Sequence, residues 1–573
     1  MTSLFTNTIL NDMFNKYFPY CKYVMAFLMV INVANGSRAQ ESNKGKYISI
    51  EQFGAIPDDS LNDRTAINKA LEFCRTNKIK QLLFPPGKYI LEHPDALTLE
   101  NDVLSGKMGG NPTKVIFTPY YKYIKGLDVS YLHNLELIGD GVELLCRGWM
   151  EPISIENSSE ITIRGFTIDY QRPPHSEGKI LAVEPGYFDV KFFEEYPVNS
   201  NIPMPRIMFY DVKKDRLEKE PLYNPEKIEM INPQTLRIWG KIPKSYEDDI
   251  AMAVHSYHFR PGILIHSSKN IAIENTTIYS QPGMGIVGHR SHNISMTGLR
   301  IVPRPGRRQS TNTDATHFTS CTGLIHFKGC MFEGQGDDAT NVHNYYYSII
   351  GKEGKKYKTT VNTPDKGIHA MVLDYPDVGD TMELVNRLTL KPIKKVSVTQ
   401  IDTIPKKGET YITLNEELPN NINNYYLINV TRLPALHIED CTILSHLARG
   451  ILIKTRNVLI ENTTIVETTG TAIQIGAEGY WHEGPGSENV TIRNNRMLRC
   501  GLGDGTQKEA CAIAVTVGSE NPAKSGVHKN LIFENNIIEG EHAKYGIYVM
   551  GADSVTIRHN QFSGCEVPVF FYK

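Results

Sequence analysis

The sequence has no apolar run near the ~20 residues that a membrane-spanning helix needs. Its apolar stretch nearest the start, residues 24–31, is only eight residues long. It follows Lys16 and Lys22 and precedes Ser37-Arg38-Ala39-Gln40. A charged start, a short apolar middle and small residues before the cut are typical of a secretory signal peptide. We therefore expect residues 1–39 to be removed and the protein to be exported, periplasmic or secreted; the alternative is a buried N-terminal strand.

The sequence also lacks an excess of basic residues. Without residues 1–39, which hold one acid and three bases, 62 acidic and 58 basic residues remain, a formal charge of −4. A nucleic-acid-binding protein normally concentrates positive charge on one face, so no nucleic-acid partner is predicted. The nine cysteines show no CxxC or CxxH spacing, so no cysteine metal site is predicted, and buried thiols are expected within the repeats.

Helical periodicity is scarce, and a short β-rich pattern recurs instead. An apolar residue, any residue, then Asn, Gly, Asp or His, two more residues and an apolar residue repeat along the chain. Copies begin at Leu137, Ile163, Ile273, Met296, Phe327, Ile438, Ile460, Ile492, Phe533 and Ile557. The basic spacing is 22–26 residues, with two gaps near 110. Units of this length cannot bury their own apolar faces and must stack, which predicts an all-β, right-handed parallel β-helix, a pectin-lyase-like solenoid.

Asparagines recur at one position of this repeat. The stacked turn residues are Asn275, Asn462, Asn494 and Asn535. Asparagine tolerates left-handed backbone and its amide can bond to the next coil. A leucine-rich repeat is excluded because its Leu-x-x-Leu-x-Leu frame is missing, and a propeller would need longer blades.

The two long gaps predict two small antiparallel β-barrels inserted into the solenoid, because both stretches alternate in polarity and carry Gly, Pro and Asn turns. An N-terminal helix with Asn62 or Asp63 as its cap would seal the first coil; its shared face is Ala66, Ile67, Ala70, Leu71 and Cys74. The predicted order is an N-terminal cap with the first coils (40–170), barrel 1 (171–260), coils with the candidate aspartates (261–343), barrel 2 (344–432) and the C-terminal coils (433–573).

Three aspartates carry the candidate chemistry. Asn312-Thr313-Asp314 and Gly336-Asp337-Asp338 place Asp314 and Asp337 one 23-residue repeat apart. Stacking would crowd three carboxylates, so that repulsion keeps a proton on one of them. Glycoside hydrolysis needs such a protonated acid beside an ionised carboxylate that activates water. Exposed polar turns and a calcium site are the alternatives for these residues.

The Asn-Thr-Asp and Gly-Asp-Asp pair resembles the polygalacturonase-type β-helix hydrolases. Here no Gly-His-Gly follows Asp338, and 449–454, Arg-Gly-Ile-Leu-Ile-Lys, is only a stretched form of that family's Arg-Ile-Lys. The chain is more similar to glycoside hydrolase family 110, over essentially the whole mature chain, including 311–317, 335–343 and 476–485. That resemblance implies an inverting exo-alpha-1,3-galactosidase without a metal or other cofactor, in which Asp337 is the acid and Asp314 with Asp338 the base pair. Its substrates would be glycans with terminal alpha-galactose, branched and blood-group-B-like or linear.

Further residues near these motifs are candidates for binding a neutral sugar. Trp481, one of three tryptophans, lies in a Gly- and Pro-bounded loop and could pack on a galactose face or cap the core. The other candidates are Asn312, His317, Gln335, His343, Arg449, Lys454 and Glu478. Each could instead be a structural histidine or a solvated turn residue. Arg304, Arg307 and Arg308 precede Asn312 and could tune the base pair or bind substrate.

Two other functions stay open at this point. A polygalacturonase-like pectin hydrolase would need a basic cluster for uronates, and a lyase would favour calcium. A non-enzymatic glycan-binding β-helix would need no catalytic acid. A homo-oligomer is compatible with the sequence.

Overall fold

The structure is a computed structural model that describes residues 47–361, 374–404, 408–503, 510–541 and 543–572. The predicted signal segment, residues 1–39, lies outside these described residues. Within the described ranges, no helix is long and apolar enough to span a membrane.

The fold is a parallel β-helix, as predicted. One of its two long ladders, sheet A, has 21 strands, and most coils contribute two short strands that pair in parallel with those of the coils before and after. Its strands are Tyr47–Ser49, Gln81–Leu83, Gly87–Glu92, His133–Arg147, Ser159–Tyr170, Lys269–Glu274, Thr277–Ile278, His292–Thr297, Arg300–Ile301, Thr322–Lys328, Met331–Phe332, Ala435–Glu439, Thr442–Ile443, Arg456–Glu461, Thr464–Val466, Glu488–Arg493, Arg496–Leu498, His528–Glu534, Ile537–Glu539, Ala552–Arg558 and Gln561–Ser563.

The second ladder, sheet B, carries the candidate site at the start of its strands. Its parallel strands are Lys125–Asp128, Glu151–Glu156, Ile263–His266, Ile286–His289, Thr316–Thr319, Thr340–Glu353, Ile451–Ile453, Ile473–Glu478, Ile513–Gly518, Tyr545–Val549 and Val567–Phe571. A short strand, Glu483–Gly484, pairs antiparallel with two of them. Ile153, Ile263 and Ile286 lie level in successive coils and are completely buried. Such columns of buried aliphatic side chains, each worth ~1.5–3 kcal/mol on burial, hold the coils in register.

Turn asparagines fix the corner between paired strands of sheet A. The predicted positions all have left-handed backbone: Asn275, Asn462, Asn494 and Asn535 have φ of 46°, 53°, 57° and 56°. The buried amide ladder, however, is formed one residue later. Asn495 Nδ2 donates to Asn536 Oδ1 at 3.1 Å, and Asn536 Nδ2 donates to Asn560 Oδ1 at 2.9 Å. The left-handed residue turns the chain, and the next side chain therefore points inward and bonds along the stack.

Two antiparallel elements interrupt the coils. The first is an eight-stranded sheet with its own core of 15 buried side chains; its strands are His175–Glu184, Tyr187–Phe192, Arg206–Asp211, Arg216–Leu217, Leu222–Tyr223, Lys227–Asn232, Thr235–Trp239 and Ile250–Val254. The second closes on itself: the far half of Thr340–Glu353 is followed around the barrel by Lys356–Thr360, Glu409–Leu414, Pro392–Ile404, Thr381–Asn386 and Tyr425–Asn429. The predicted domain limits, 171–260 and 344–432, stay predictions.

The N-terminal helix is present as Arg64–Asn77, with Ile67, Ala70, Leu71 and Cys74 buried. Asn62 Oδ1 accepts from the Arg64 amide at 3.2 Å. The Asp63 carboxylate instead accepts from the Ile56 and Ile90 amides, both at 3.0 Å, and ties two neighbouring segments together. The other described helices are Pro94–Leu104, Thr113–Ile116 and the 3-10 turns Ile50–Phe53, Lys244–Tyr246 and Ile422–Asn424. The eight cysteines of the described residues are free thiols, and all but Cys565 are buried.

Candidate active site

The strand register of sheet B gathers the acidic residues. Thr316 pairs with Thr340, and Thr340 pairs with Ile451, so Asp314, Asp338 and Arg449 lie level in three successive coils. The Ala315 amide donates to the Asp338 carbonyl at 2.9 Å, and the Ala339 amide donates to the Arg449 carbonyl at 3.1 Å. The predicted stacking of Asp314 on Asp337 is therefore wrong by one residue, because this coil is 24 residues long and not 23. Asp337 lies level with Thr313.

Gly336 is needed for space and not for an unusual backbone angle. Its φ lies outside the left-handed region that favours glycine. A Cβ atom at this position would overlap Nη2 of Arg206 and the carbonyl oxygen of Asn312. The same Arg206 nitrogen donates to that carbonyl oxygen. Arg206 belongs to the inserted sheet, so the close approach at Gly336 brings the insertion against the coil of Asp337.

Asp338 lies in a buried chain of alternating charges. Its two carboxylate oxygens accept from Nε and Nη2 of Arg449, both at 2.8 Å, and the Arg449 amide adds a third bond at 2.9 Å. Arg449 Nη1 lies 3.2 Å from Glu478 Oε1, and Lys454 Nζ lies 2.7 Å from Glu478 Oε2 and 2.5 Å from Glu483 Oε2. Burial lowers the pKa of Arg449, but Asp338 and Glu478 outweigh it and the net pKa is well above its usual range. The guanidinium is therefore a fixed cation.

Asp314 is engaged from its other side by a histidine pair. His317 Nδ1 lies 2.7 Å from Asp314 Oδ2, and His317 Nε2 lies 2.8 Å from His343 Nε2. Burial raises the pKa of Asp314, opposed by the bond to His317. Burial lowers the pKa of His317, but Asp314 outweighs it and the net shift is upward. Burial lowers the pKa of His343 to about 3, so this ring is neutral at ordinary pH.

Asp337 is the carboxylate of the three that holds a proton most readily. Burial raises its pKa well above the usual range, and the charges of Asp338 and Asp314 raise it further, against the effect of Arg449 and Arg206. Among the described residues, Asp337 forms no ion pair, whereas Asp338 pairs with the Arg449 guanidinium and Asp314 bonds to His317, whose pKa is raised. One carboxyl group with a strongly raised pKa beside two carboxyl groups that have basic partners is an arrangement that suits general acid and base catalysis.

One group of side chains at the site has metal-ligand character. Ligand atoms of His317, His343 and Glu483 lie within 4.8 Å of one another. Lys454 Nζ, at 2.5 Å from Glu483, already supplies a positive charge to that carboxylate, and His317 is committed to Asp314. The predicted independence from metal stays a prediction.

The remaining predicted site residues occupy different surroundings. Asn312 is completely buried; its Nδ2 donates to the Ser256 carbonyl at 2.9 Å, and its Oδ1 accepts from Gln309 at 3.1 Å. Gln335 is also completely buried, and both polar atoms of its amide lack a hydrogen-bond partner within the part of the chain that the structure describes. Trp481 is 39% exposed, which is too open for a core cap. Direct contact of these three residues with substrate stays a prediction.

Sequence reasoning missed two residues and misplaced others. Glu483 lies two residues after Trp481, in the same loop. Its position in that loop is the one feature of the sequence that could have identified it. Arg206 had none, because it comes from a strand of the insertion. Arg304 and Arg307 do not reach the aspartates of the site; both form ion pairs with Asp169, and Arg304 also pairs with Glu143.

Comparisons with known proteins agree with this fold and with the family resemblance. Residues 408–562 match the family model described as a right-handed beta helix region. The chain is 26% identical to alpha-1,3-galactosidase A of Shewanella woodyi, over 89% of this chain and 84% of that protein. It is 24% identical to alpha-1,3-galactosidase B of Bacteroides thetaiotaomicron, over 86% and 82%. A mannuronan C-5 epimerase A-module from Azotobacter vinelandii overlays with a TM-score of 0.43 at 12% identity, over 91% of this chain and 96% of that one. The predicted resemblance to the alpha-1,3-galactosidases is confirmed.

Proposed function

We propose that this chain is a glycosidase of the galactosidase type, which releases terminal alpha-1,3-linked galactose from glycans, exo-acting and with inversion. Relatives named alpha-1,3-galactosidase that cover most of the chain support the reaction class. The observation that carries the mechanism is the pairing of the three aspartates: Asp338 pairs with Arg449 and Asp314 bonds to His317, whereas Asp337 forms no ion pair among the described residues.

In the proposed reaction, Asp337 gives its proton to the glycosidic oxygen as the bond to the anomeric carbon breaks. A water held between Asp314 and Asp338 attacks that carbon from the opposite face and passes a proton to the carboxylate base. The released sugar has the inverted, beta configuration. A single displacement of this kind needs ~6.5–9.5 Å between acid and base, so that the water fits.

A neutral sugar suits the charges of the site better than a uronate. Five carboxyl groups converge there, and Arg449 and Lys454 are both paired with carboxylates. A pectic substrate would add a further anion and would need additional positive charge. Trp481, partly exposed beside Tyr480 with ring centroids 6.3 Å apart, offers an aromatic face of the kind that packs on galactose.

Export is part of the proposal, because the substrate would be an extracellular glycan and residues 1–39 have the composition of a signal peptide. Expression of the full chain in a Gram-negative host, followed by N-terminal sequencing of the purified protein, tests it. A mature start at Gln40 is expected, and an intact first segment would contradict it.

Proton NMR of the sugar first released from an alpha-1,3-galactosyl disaccharide tests the function, with EDTA present. Beta-galactose should appear first with the wild type, and Asp337→Asn should release none. Asp553→Asn, on an exposed face, is the matched control and should keep full activity. Alpha-galactose as the first product would overturn inversion. If no galactose appears from linear or fucose-branched substrates, the galactosidase assignment is wrong.

A further inference from the structure

We infer that His343 is a positioning residue, whose neutral ring fixes His317 as a hydrogen-bond donor on both nitrogens and so holds Asp314 ionised as the base. This inference rests on the proposed function, because it assigns Asp314 rather than Asp338 as the proton acceptor for water. Neither the family resemblance nor the spacing of the motifs assigns these roles.

The hydrogen-bond directions follow from one backbone carbonyl. His343 Nδ1 lies 3.0 Å from the Asn344 carbonyl oxygen, which can only accept, so Nδ1 carries the proton of the neutral ring. Nε2 of His343 therefore has a free lone pair. His317 Nε2, at 2.8 Å from it, must donate. With its Nε2 proton fixed in this way, His317 can also donate through Nδ1 to Asp314 only as an imidazolium.

His317 bonds to Oδ2 of Asp314, and no group of the described residues donates to the other oxygen, Oδ1, which is thus available to the water. Asp338 differs, because Arg449 occupies both of its oxygens and the Arg449 amide adds a third donor. A carboxylate with three charge-assisted or backbone donors is a weak base. Asp338 is thus suited to orient the water, and Asp314 to receive its proton.

The surroundings of the pair favour a shared proton over a bound metal. The titratable groups that face His317 are Asp314, Glu483 and Lys454, and those that face His343 are Glu483, Lys454, His317 and His289; burial lowers the pKa of His289 well below its usual range. The ring of Tyr345 packs edge-on at 5.0 Å from His343. The positive charges of Lys454 and of the His317 imidazolium together balance the negative charges of Glu483 and Asp314. A divalent cation in contact with His317 and His343 would add two charges next to Lys454.

Two substitutions of His343 separate the inference from a structural role. His343→Gln keeps an acceptor, the amide oxygen, for the proton on His317 Nε2. His343→Leu has a similar size and no acceptor. Nitrogen-15 NMR of the histidine side chains in the intact protein, titrated from pH 5 to 9, reports the charge of His317 without any substrate.

In the wild type and in His343→Gln we expect the pKa of His317 to lie above its usual range, because Asp314 outweighs the effect of burial. In His343→Leu it should titrate at least about one pH unit lower, which corresponds to a tenfold weaker hold on the proton. The activity kcat/KM of the leucine variant should fall about tenfold on the alkaline side of the His317 titration that the NMR records and much less on its acidic side, where His317 is charged in both proteins; the glutamine variant should restore it.

Three outcomes would overturn the inference. A neutral His317 in the wild type at pH 7 refutes it even if galactose is released, and equal pH profiles for the leucine and glutamine variants refute the positioning role. A tightly bound zinc ion, found by elemental analysis and lost in both variants, would show that the pair is a metal site. If no galactoside is hydrolysed but the NMR titrations behave as described, the proposed function fails and the histidine geometry stands.

Discussion

Replacing Arg449 by methionine removes the guanidinium that joins Asp338 to Glu478 while leaving an unbranched side chain in its place. Breaking a buried ion pair from one side costs ~3–5 kcal/mol, because the partner charge stays buried without compensation. Asp338 should bear most of this cost, since Glu478 keeps Lys454 at 2.7 Å as a second cation. We therefore expect the free energy of unfolding at pH 7.5 to fall by ~3–5 kcal/mol.

The effect should depend on pH with a defined sign. Without Arg449, the negative charge of the buried Asp338 carboxylate has no compensating cation, and protonation removes that charge. The stability of the variant is then highest at low pH, where the carboxyl is protonated in both states, and it decreases as the pH rises. The deficit of the variant relative to the wild type should narrow from pH 7.5 to pH 5.

Urea unfolding followed by tryptophan fluorescence at both pH values measures this deficit. Arg493→Met is the matched control, because Arg493 pairs with Glu461 on the surface with its side chain 41% exposed, and such pairs are worth at most ~1 kcal/mol. Adding Asp338→Asn to Arg449→Met should recover part of the loss. A double variant no more stable than Arg449→Met, at both pH values, would refute uncompensated charge as the cause.

Three further results are expected. Gly336→Ala should lower activity and destabilise the fold by ~1–3 kcal/mol, because the added Cβ would overlap Arg206. Gly110→Ala is the control and should change neither, because no described atom lies within 4 Å of the added Cβ. Thermal melting followed by circular dichroism measures the stability, and galactose release measures the activity. Burial and like charges raise the pKa of Asp337, so its ionised form destabilises the folded protein. At pH 8, Asp337→Asn should therefore unfold at a higher urea concentration than the wild type. At pH 4 the two proteins should unfold at the same concentration. Asn536→Ala should cost ~1–3 kcal/mol by leaving buried donors and acceptors of the amide ladder unpaired, and unchanged urea unfolding would contradict the ladder's role.

The repeat predicted the solenoid because stacked coils impose like residues at like positions. The pattern copies that begin at Ile273 and Met296 do pair in the structure, and the turn asparagines adopt the left-handed backbone that suggested them. The helix at 64–77 was predictable for a similar local reason, since one face is apolar and a cap precedes it. Local spacing and residue chemistry were sufficient for these elements.

The site was predictable only in part, because its register depends on coil length and its walls come from distant chain. A coil of 24 residues instead of 23 moved the partner of Asp314 from Asp337 to Asp338. Arg206 approaches through a sheet more than one hundred residues earlier in sequence, and no spacing rule connects it to Gly336. The acceptor role of His343 depends on its bond to a main-chain oxygen, which residue identity cannot reveal.

The closed barrel between the coils of Asp338 and Arg449 has a consequence for how the chain assembles. In an open loop, the ~110 residues between these level positions would cost ~1.3 kcal/mol more closure entropy than a 24-residue coil. The barrel removes that penalty once it has folded, because its first and last strands pair directly, Tyr346 with Ile428, and Asn344 Nδ2 donates to the Asn429 carbonyl at 2.8 Å. Chain entry and exit are then adjacent, so the next coil can dock as though only a tight turn intervened. Before the barrel folds, bringing the Arg449 guanidinium to the Asp338 carboxylate therefore carries this additional closure entropy, and after it folds the acid cluster can form without it.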